Sequence, residues 1–91
     1  MSIKVIELFA GVGGFRLGLE GPLGNNKDTG FKVVWSNQWE PGSSKQWASK
    51  IYTENFGQEG HDGTDIHNFT KTVKEIHKIP QADILVGGFP C

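Results

Sequence analysis

IKVIELFAGVGGFRLGLE, residues 3–20, is the stretch whose reading decides the fold. Ile3 to Phe9 is rich in β-branched and apolar side chains and stops abruptly at Ala10-Gly11-Val12-Gly13-Gly14. That pattern reads as a buried strand entering a tight turn. Phe15, Leu17 and Leu19 follow on a short segment that runs to Glu20, so the order is strand, glycine turn, helix. The 13 glycines of the chain cluster at such points instead of scattering, which marks specific turns and not a flexible linker.

Working outward, residues 21–30, GPLGNNKDTG, combine Pro, Gly, Asn and Asp, which is loop chemistry. A second apolar run, Phe31 to Trp35, predicts a second strand. Pro41 suits the first turn of a helix, and Trp47, Ala48, Ile51 and Tyr52 share one face before Gly57, predicting a helix over about residues 43–56. EGHDGTD, residues 59–65, has no apolar run, so any strand there is short. Ile66, Phe69, Val73, Ile76 and Ile79 recur at helical spacing and predict a third helix ended by Pro80, with Lys71, Lys74 and Lys78 on its solvated face. Asp83 to Val86 is a last strand that runs into Gly87-Gly88-Phe89-Pro90-Cys91.

Strands alternating with amphipathic helices imply an α/β fold: a parallel sheet with right-handed crossovers and helices on both faces. In such sheets ligands bind beyond the carboxyl ends of the strands, near the point where strand order reverses. Three segments occupy those ends: the glycine turn, Asn37 to Glu40, and Phe89-Pro90-Cys91.

Composition bounds the rest. At 91 residues, 36% hydrophobic and 21% charged, the chain is one small soluble unit or a piece of a larger one. A formal charge of −1 provides no general basic field for holding DNA phosphates, so most such contacts are expected elsewhere. A single cysteine excludes an intramolecular disulfide framework. The start, MSIKVIELF, lacks the long apolar stretch of a signal peptide or membrane span, so a reducing cytoplasm and no membrane partner are expected. His61, His67 and His77 have no metal-ligand spacing, and no metal is expected.

The glycine turn fails as a dinucleotide fingerprint, because Gly11 and Gly13 fit GxGxxG while Arg16 stands at the third position. A nucleoside without a pyrophosphate, approached closely by the backbone of Gly11 to Gly14, fits better. Gln38 or Glu40 could then bond ribose hydroxyls, and Trp39 offers a flat surface for a purine. A lone cysteine is usually a small buried hydrophobe. Cys91, at the end of a parallel strand and after a proline that fixes the backbone, is instead aimed at the ligand crevice.

Taken together, these residues resemble the cytosine-5 DNA methyltransferases and their tRNA-methylating relatives. ELFAGVGGFRLGLE, residues 7–20, is similar to the family's first motif almost position for position. SNQWE, residues 36–40, resembles the second, Asp65-Ile66 the third, and GGFPC, residues 87–91, the start of the fourth. All four stand in family order across essentially the whole chain.

The resemblance implies a Rossmann-like domain that transfers a methyl group from S-adenosylmethionine to carbon 5 of cytosine, within a restriction-modification system. Phe9 would stack on the adenine, and the backbone of Ala10, Gly11, Val12, Gly13 and Gly14 would approach the methionine portion. Gln38 would bond the ribose, Trp39 would pack on the other purine face, Asp65 would take the adenine amino group, and the Ile66 backbone would hold the ring. Pro90 would line the crevice, and Cys91 would be the nucleophile. Thiolate addition to carbon 6 makes the ring enamine-like, so that carbon 5 can attack the sulfonium methyl; loss of the carbon 5 proton and of the thiolate then restores the base. The target base must first leave the duplex, at a cost of a few kcal/mol.

By the same resemblance the glutamate that protonates cytosine, the target-recognition region and the closing motifs would lie beyond Cys91. Residues 1–91 thus read as the N-terminal, cofactor-binding part of a catalytic domain, ending at the nucleophile, inactive alone and contacting double-stranded DNA through the missing C-terminal part. A non-catalytic α/β nucleotide-binding module and a tRNA cytosine-5 methyltransferase are the alternatives. In the family's sheet order Ile84 to Val86 would be an interior strand without its next neighbour, and an uncovered apolar edge invites pairing with another chain. The purified chain is therefore expected to self-associate in light scattering, and a monodisperse monomer at high concentration would contradict this.

Overall fold

A computed structural model of the chain describes residues 2–21 and 29–88. The described residues form four strands and four helices: β1 (Ile3–Leu8), α1 (Gly14–Glu20), β2 (Phe31–Asn37), α2 (Trp47–Phe56), β3 (His61–Asp62), α3 (His67–Thr70), α4 (Val73–Ile76) and β4 (Ile84–Gly87). The strands form one sheet in the order β3-β2-β1-β4, with every pairing parallel. This is the α/β architecture that the alternation of strands and helices implies.

Strand order reverses between β1 and β4, and that reversal distributes the helices. The first two crossovers run in one direction and the third returns, so right-handed connections put α1 and α2 on one face and α3 and α4 on the other. Contacts agree: Tyr52 of α2 bonds Glu7 of β1, whereas Phe69 of α3 meets the Trp35 ring edge-on with centroids 5.2 Å apart. Between Val5 and Ile6 the β1–β2 register slips, leaving Val34 as an extra residue on β2. Past this bulge Trp35, Ser36 and Asn37 are all buried.

The buried set is small and half polar. Val5, Ala10, Val33, Trp35 and Tyr52 are joined by Glu7, Glu20, Ser36, Asn37 and Ser49. Each buried polar group needs a partner, because an unpaired one carries its full desolvation cost. Glu20 supplies two bonds: Oε1 pairs with Arg16 Nε at 2.8 Å, and Oε2 accepts the Val33 N–H at 2.6 Å, since β3 pairs with β2 only at Ser36 and Asn37. His61 bridges the Ser36 hydroxyl at Nδ1 and the Ser49 hydroxyl at Nε2, both at 2.7 Å, and stacks on Tyr52.

Gly13 is required sterically at the entry to α1. Its φ of 100° lies in the left-handed region, and a Cβ there would collide with the Phe56 ring. The glycine lets the turn descend onto α2.

Three expectations are corrected. α2 begins at Trp47, not residue 43, because the Gln46 side chain bonds the backbone of Glu40 and Ser43 and holds the preceding segment as turns. Its buried face carries Ser49 and Tyr52, while Trp47 is 54% exposed beside the ammonium groups of Lys45 and Lys50. The single helix expected over residues 66–79 is broken at Thr72, which is extended; its hydroxyl accepts the Glu75 N–H and starts α4 as a new helix. Lys78 pairs with Glu75 at 2.9 Å. On the open side of the sheet, β4 carries Leu85 at 64% exposure, an apolar edge as expected.

Glu7 provides a test of the polar core. It is fully buried; Oε1 accepts from the Tyr52 hydroxyl at 2.8 Å, and Oε2 has no hydrogen-bond partner among the described residues. Burial pushes its carboxyl above the usual range, against the opposing pull of Tyr52 and Arg16, and burial pushes the Tyr52 phenol up to about 12. An acid whose folded pKa exceeds its unfolded value stabilises fully below the unfolded value and loses that contribution as pH rises through the folded one. Glu7→Gln keeps an acceptor for Tyr52 but cannot ionise. Urea unfolding should show the variant gaining on the parent as pH rises above about 4.5. A separation that stays constant from pH 4 to pH 8 would falsify the shift.

Candidate functional site

A cleft of about 360 Å³ opens at the carboxyl ends of the strands, within the usual range for small-molecule sites of roughly 300–1,000 Å³. Every strand contributes to it. Phe9 follows β1, Gln38 to Pro41 follow β2, Asp65 and Ile66 follow β3, and Gly88 follows β4. The cleft lies at the reversal of strand order, where α/β sheets place ligands.

Local backbone chemistry puts each group there. Phe9 leaves β1 with a φ of 53°, a left-handed conformation that costs a non-glycine residue about 1–2 kcal/mol. That twist ends the strand and turns the chain into Ala10. The turn is then tied to β2: Ala10 N–H donates to the Asn37 carbonyl at 3.1 Å, and Gly11 N–H to Oε1 of Gln38 at 2.8 Å.

Asn37 fastens the third loop as well. It is 3% exposed, and its Nδ2 donates to the Thr64 carbonyl at 2.7 Å and to the Asp62 carbonyl and Oδ1 at 3.2 Å. Asp62 Oδ1 also accepts from Thr64 N at 2.8 Å. These bonds position Asp65, whose Oδ1 accepts the His67 N–H at 3.0 Å and starts α3. Burial holds the His61 imidazole below its usual range, so neutral His61 continues to bridge Ser36 and Ser49 beneath the loop.

Chemically, the cleft offers two aromatic surfaces and two carboxylates. Phe9 is 37% exposed and Trp39 is 38% exposed, and both line it with Glu40 and Asp65. A flat heteroaromatic ring bearing hydroxyl or amino donors matches that lining. The structure thus brings together Phe9, Gln38, Trp39, Glu40, Asp65 and Ile66 from the residues expected. Ala10, Gly11, Val12, Gly13 and Gly14 form the adjoining turn instead of the cleft lining. Pro90 and Cys91 lie outside the described residues.

Sequence reasoning placed Asn37 at the site's strand end without a role for its side chain, and missed Pro41 in the lining and Gln46 as the support of Glu40. Asn37 carried a usable signal: an amide at the end of an apolar strand, where its NH₂ can fasten neighbouring loops. Nothing in the spacing indicates that Gln46 reaches back six residues to Glu40.

Residues 3–91 match the family described as C-5 cytosine-specific DNA methylase. Over 90 residues the chain is 47% identical to the Type II methyltransferase M.Sau3AI of Staphylococcus aureus, covering 99% of this chain and 20% of the relative. It is 38% identical over 91 residues to M.HhaI of Haemophilus parahaemolyticus, covering 99% and 22%, and 35% identical over 92 residues to M.BsuFI of Bacillus subtilis, covering 100% and 18%. The chain therefore spans about a fifth of the length of the curated relatives it matches. No solved structure gives a significant match.

Asn37 generates the prediction here. Asn37→Ala removes the donor that holds Thr64 and Asp62, at an expected cost of about 1–3 kcal/mol. Asn37→Asp should cost more, because it would face an added acceptor toward three existing acceptors. Equal losses for the two variants in denaturant unfolding would show that the amide donors do not hold the loop.

Proposed function

This chain belongs to the C-5 cytosine-specific DNA methylase family, and from that premise we propose that it is the cofactor-binding, N-terminal part of a DNA cytosine-5 methyltransferase. The observation that carries the proposal is the cleft, which draws one segment from the end of each strand and combines two aromatic surfaces with two carboxylates. Its lining fits an adenosine: Phe9 and Trp39 would enclose the base, Asp65 would accept from its amino group, and the Ile66 backbone would hold the ring edge. Gln38 or Glu40 would bond the ribose hydroxyls, and the backbone of Ala10 to Gly14 would approach the amino-acid portion. Pro90 would line the crevice.

S-adenosylmethionine, when bound, supplies a methyl group on a sulfonium sulfur. Cys91 Sγ is the proposed nucleophile toward carbon 6 of a cytosine flipped out of double-stranded DNA. Proton transfer to and from the base and the reading of DNA sequence fall to the missing C-terminal part, which would also cover the exposed edge of β4. The Rossmann-like fold, the restriction-modification role and a cytoplasmic location belong to the same proposal. It is supported by relatives named Type II methyltransferases; among the described residues no helix is long and apolar enough to cross a membrane.

A chimera tests it directly. These 91 residues would replace the matching segment of the Staphylococcus aureus relative, with which they share 47% identity. The chimera should transfer tritiated methyl from S-adenosylmethionine to DNA, the isolated chain should not, and Cys91→Ala in the chimera should abolish transfer while cofactor binding persists. Transfer by the isolated chain, or undiminished transfer by the Cys91→Ala chimera, would overturn the proposal.

A further inference from the structure

We infer that Lys45, Trp47 and Lys50 form a contact for the sugar-phosphate backbone of duplex DNA, outside the cleft and away from the base that is methylated. The inference goes beyond the cofactor reading of the cleft and rests on DNA being the substrate.

Positive charge is concentrated here although the whole chain stands at −1. Between Glu40 and Glu54 the chain has two lysines and no acidic residue. Both lysines are exposed, and both lean over one indole: Lys45 Nζ lies 5.2 Å and Lys50 Nζ 5.6 Å from the centre of the Trp47 ring. Neither ammonium is ion-paired among the described residues. Glu54, four residues beyond Lys50 on α2, makes no pair with it, and Glu40 lines the cleft instead. Trp47 is 54% exposed and Ile51, one turn on, is 41% exposed, so an apolar stripe runs between the two cations. Burial does not explain that stripe, because the face of α2 turned to the sheet carries Ser49 and Tyr52.

The patch stands on a fixed backbone. Gln46 Oε1 accepts the Glu40 N–H at 2.6 Å, and its Nε2 donates to the carbonyls of Glu40 at 2.9 Å and Ser43 at 3.0 Å. The Ser43 hydroxyl donates to the Lys45 carbonyl at 2.6 Å. These bonds hold the chain on both sides of Lys45 before α2 begins at Trp47, so little backbone freedom remains to be lost on binding. Because the crossover helix runs back along the sheet, the first turn of α2 stands at the carboxyl ends of the strands, near Trp39 to Pro41.

Each group matches one part of a nucleic-acid backbone. The ammonium groups are compact charges for phosphate oxygens, held close enough together to serve neighbouring phosphates of one strand. The indole N–H only donates, which suits a third phosphate oxygen, and the ring face with Ile51 suits the apolar side of a deoxyribose. Contacts of this kind position a duplex without reading its sequence. The lysines on the opposite face of the sheet fit less well: Lys78 is already paired with Glu75 at 2.9 Å, and neither Lys71 nor Lys74 has a ring contact.

The chimera that carries these 91 residues provides the test. Its binding to a duplex that extends on both sides of the target is followed by fluorescence anisotropy over a series of salt concentrations. Each phosphate contact contributes about 0.9 to the slope of log affinity against log salt. Lys45→Gln with Lys50→Gln should flatten the slope by about 1.8, and Lys45→Arg with Lys50→Arg should restore it. Trp47→Ala should weaken binding several-fold at every salt concentration. Melting temperatures should not move, because the three side chains are exposed. An unchanged slope in the double glutamine variant of a parent that binds the duplex would overturn the contact and leave the cofactor reading standing. A parent that binds no duplex would overturn the DNA reading, and the contact with it. Polyglutamate bound by the parent and lost in the double variant, with duplex binding retained, would assign the patch to an acidic protein segment instead.

Discussion

The end of β2 is the constraint on which the site depends. At Asn37 and Gln38 the strand offers two backbone groups and two amide side chains, and nearly all of them bond to loops from other strands. The Asn37 carbonyl and Gln38 Oε1 hold the turn after β1, while the Asn37 amide holds Thr64 after β3 and the Gln38 N–H bonds Asp62 at the end of β3. A loop left to itself would lose conformational entropy of about 1–2 kcal/mol per residue on ordering, with little to offset it. Anchoring both loops to one strand end lets a small sheet present Phe9, Trp39 and Asp65 around a single cleft.

That arrangement is underlain by an unusual core. Among the described residues nearly half of the buried ones are polar, and they take part in linked pairs: Glu7 with Tyr52, Arg16 with Glu20, and His61 with Ser36 and Ser49. Hydrogen bonds with such partners contribute modestly when made and cost more when broken, so this core specifies geometry more than it adds stability. The Glu7 carboxyl held toward its neutral form follows from the same physics. A charge there would be desolvated with one oxygen unpaired, and protonation relieves that cost.

Much of this was legible in the chain itself. Ile3 to Phe9 followed by clustered glycines specified a strand and a turn because few residues other than glycine tolerate the left-handed backbone needed at Gly11 and Gly13. The apolar runs located β2 and β4, and four motifs in order identified the family. Less legible were the ends of elements. The spacing from Ile66 to Ile79 is helical, yet Thr72 and Glu75 form a capping pair whose local hydrogen bond outweighs continuity, and two short helices result.

What the sequence determined by itself was therefore local and periodic: which segments are strands, where the glycine turn falls, and which residue types stand at strand ends. Register, the bulge at Val34, the pairing of Glu7 with Tyr52 and the tie between Gly11 and Gln38 were decided only by tertiary structure. The physical reason is separation along the chain. Gly11 and Gln38 are 27 residues apart and Glu7 and Tyr52 are 45 apart, so no local preference encodes their hydrogen bonds. Those bonds form only once the parallel crossovers have closed and burial has removed water as the competing partner.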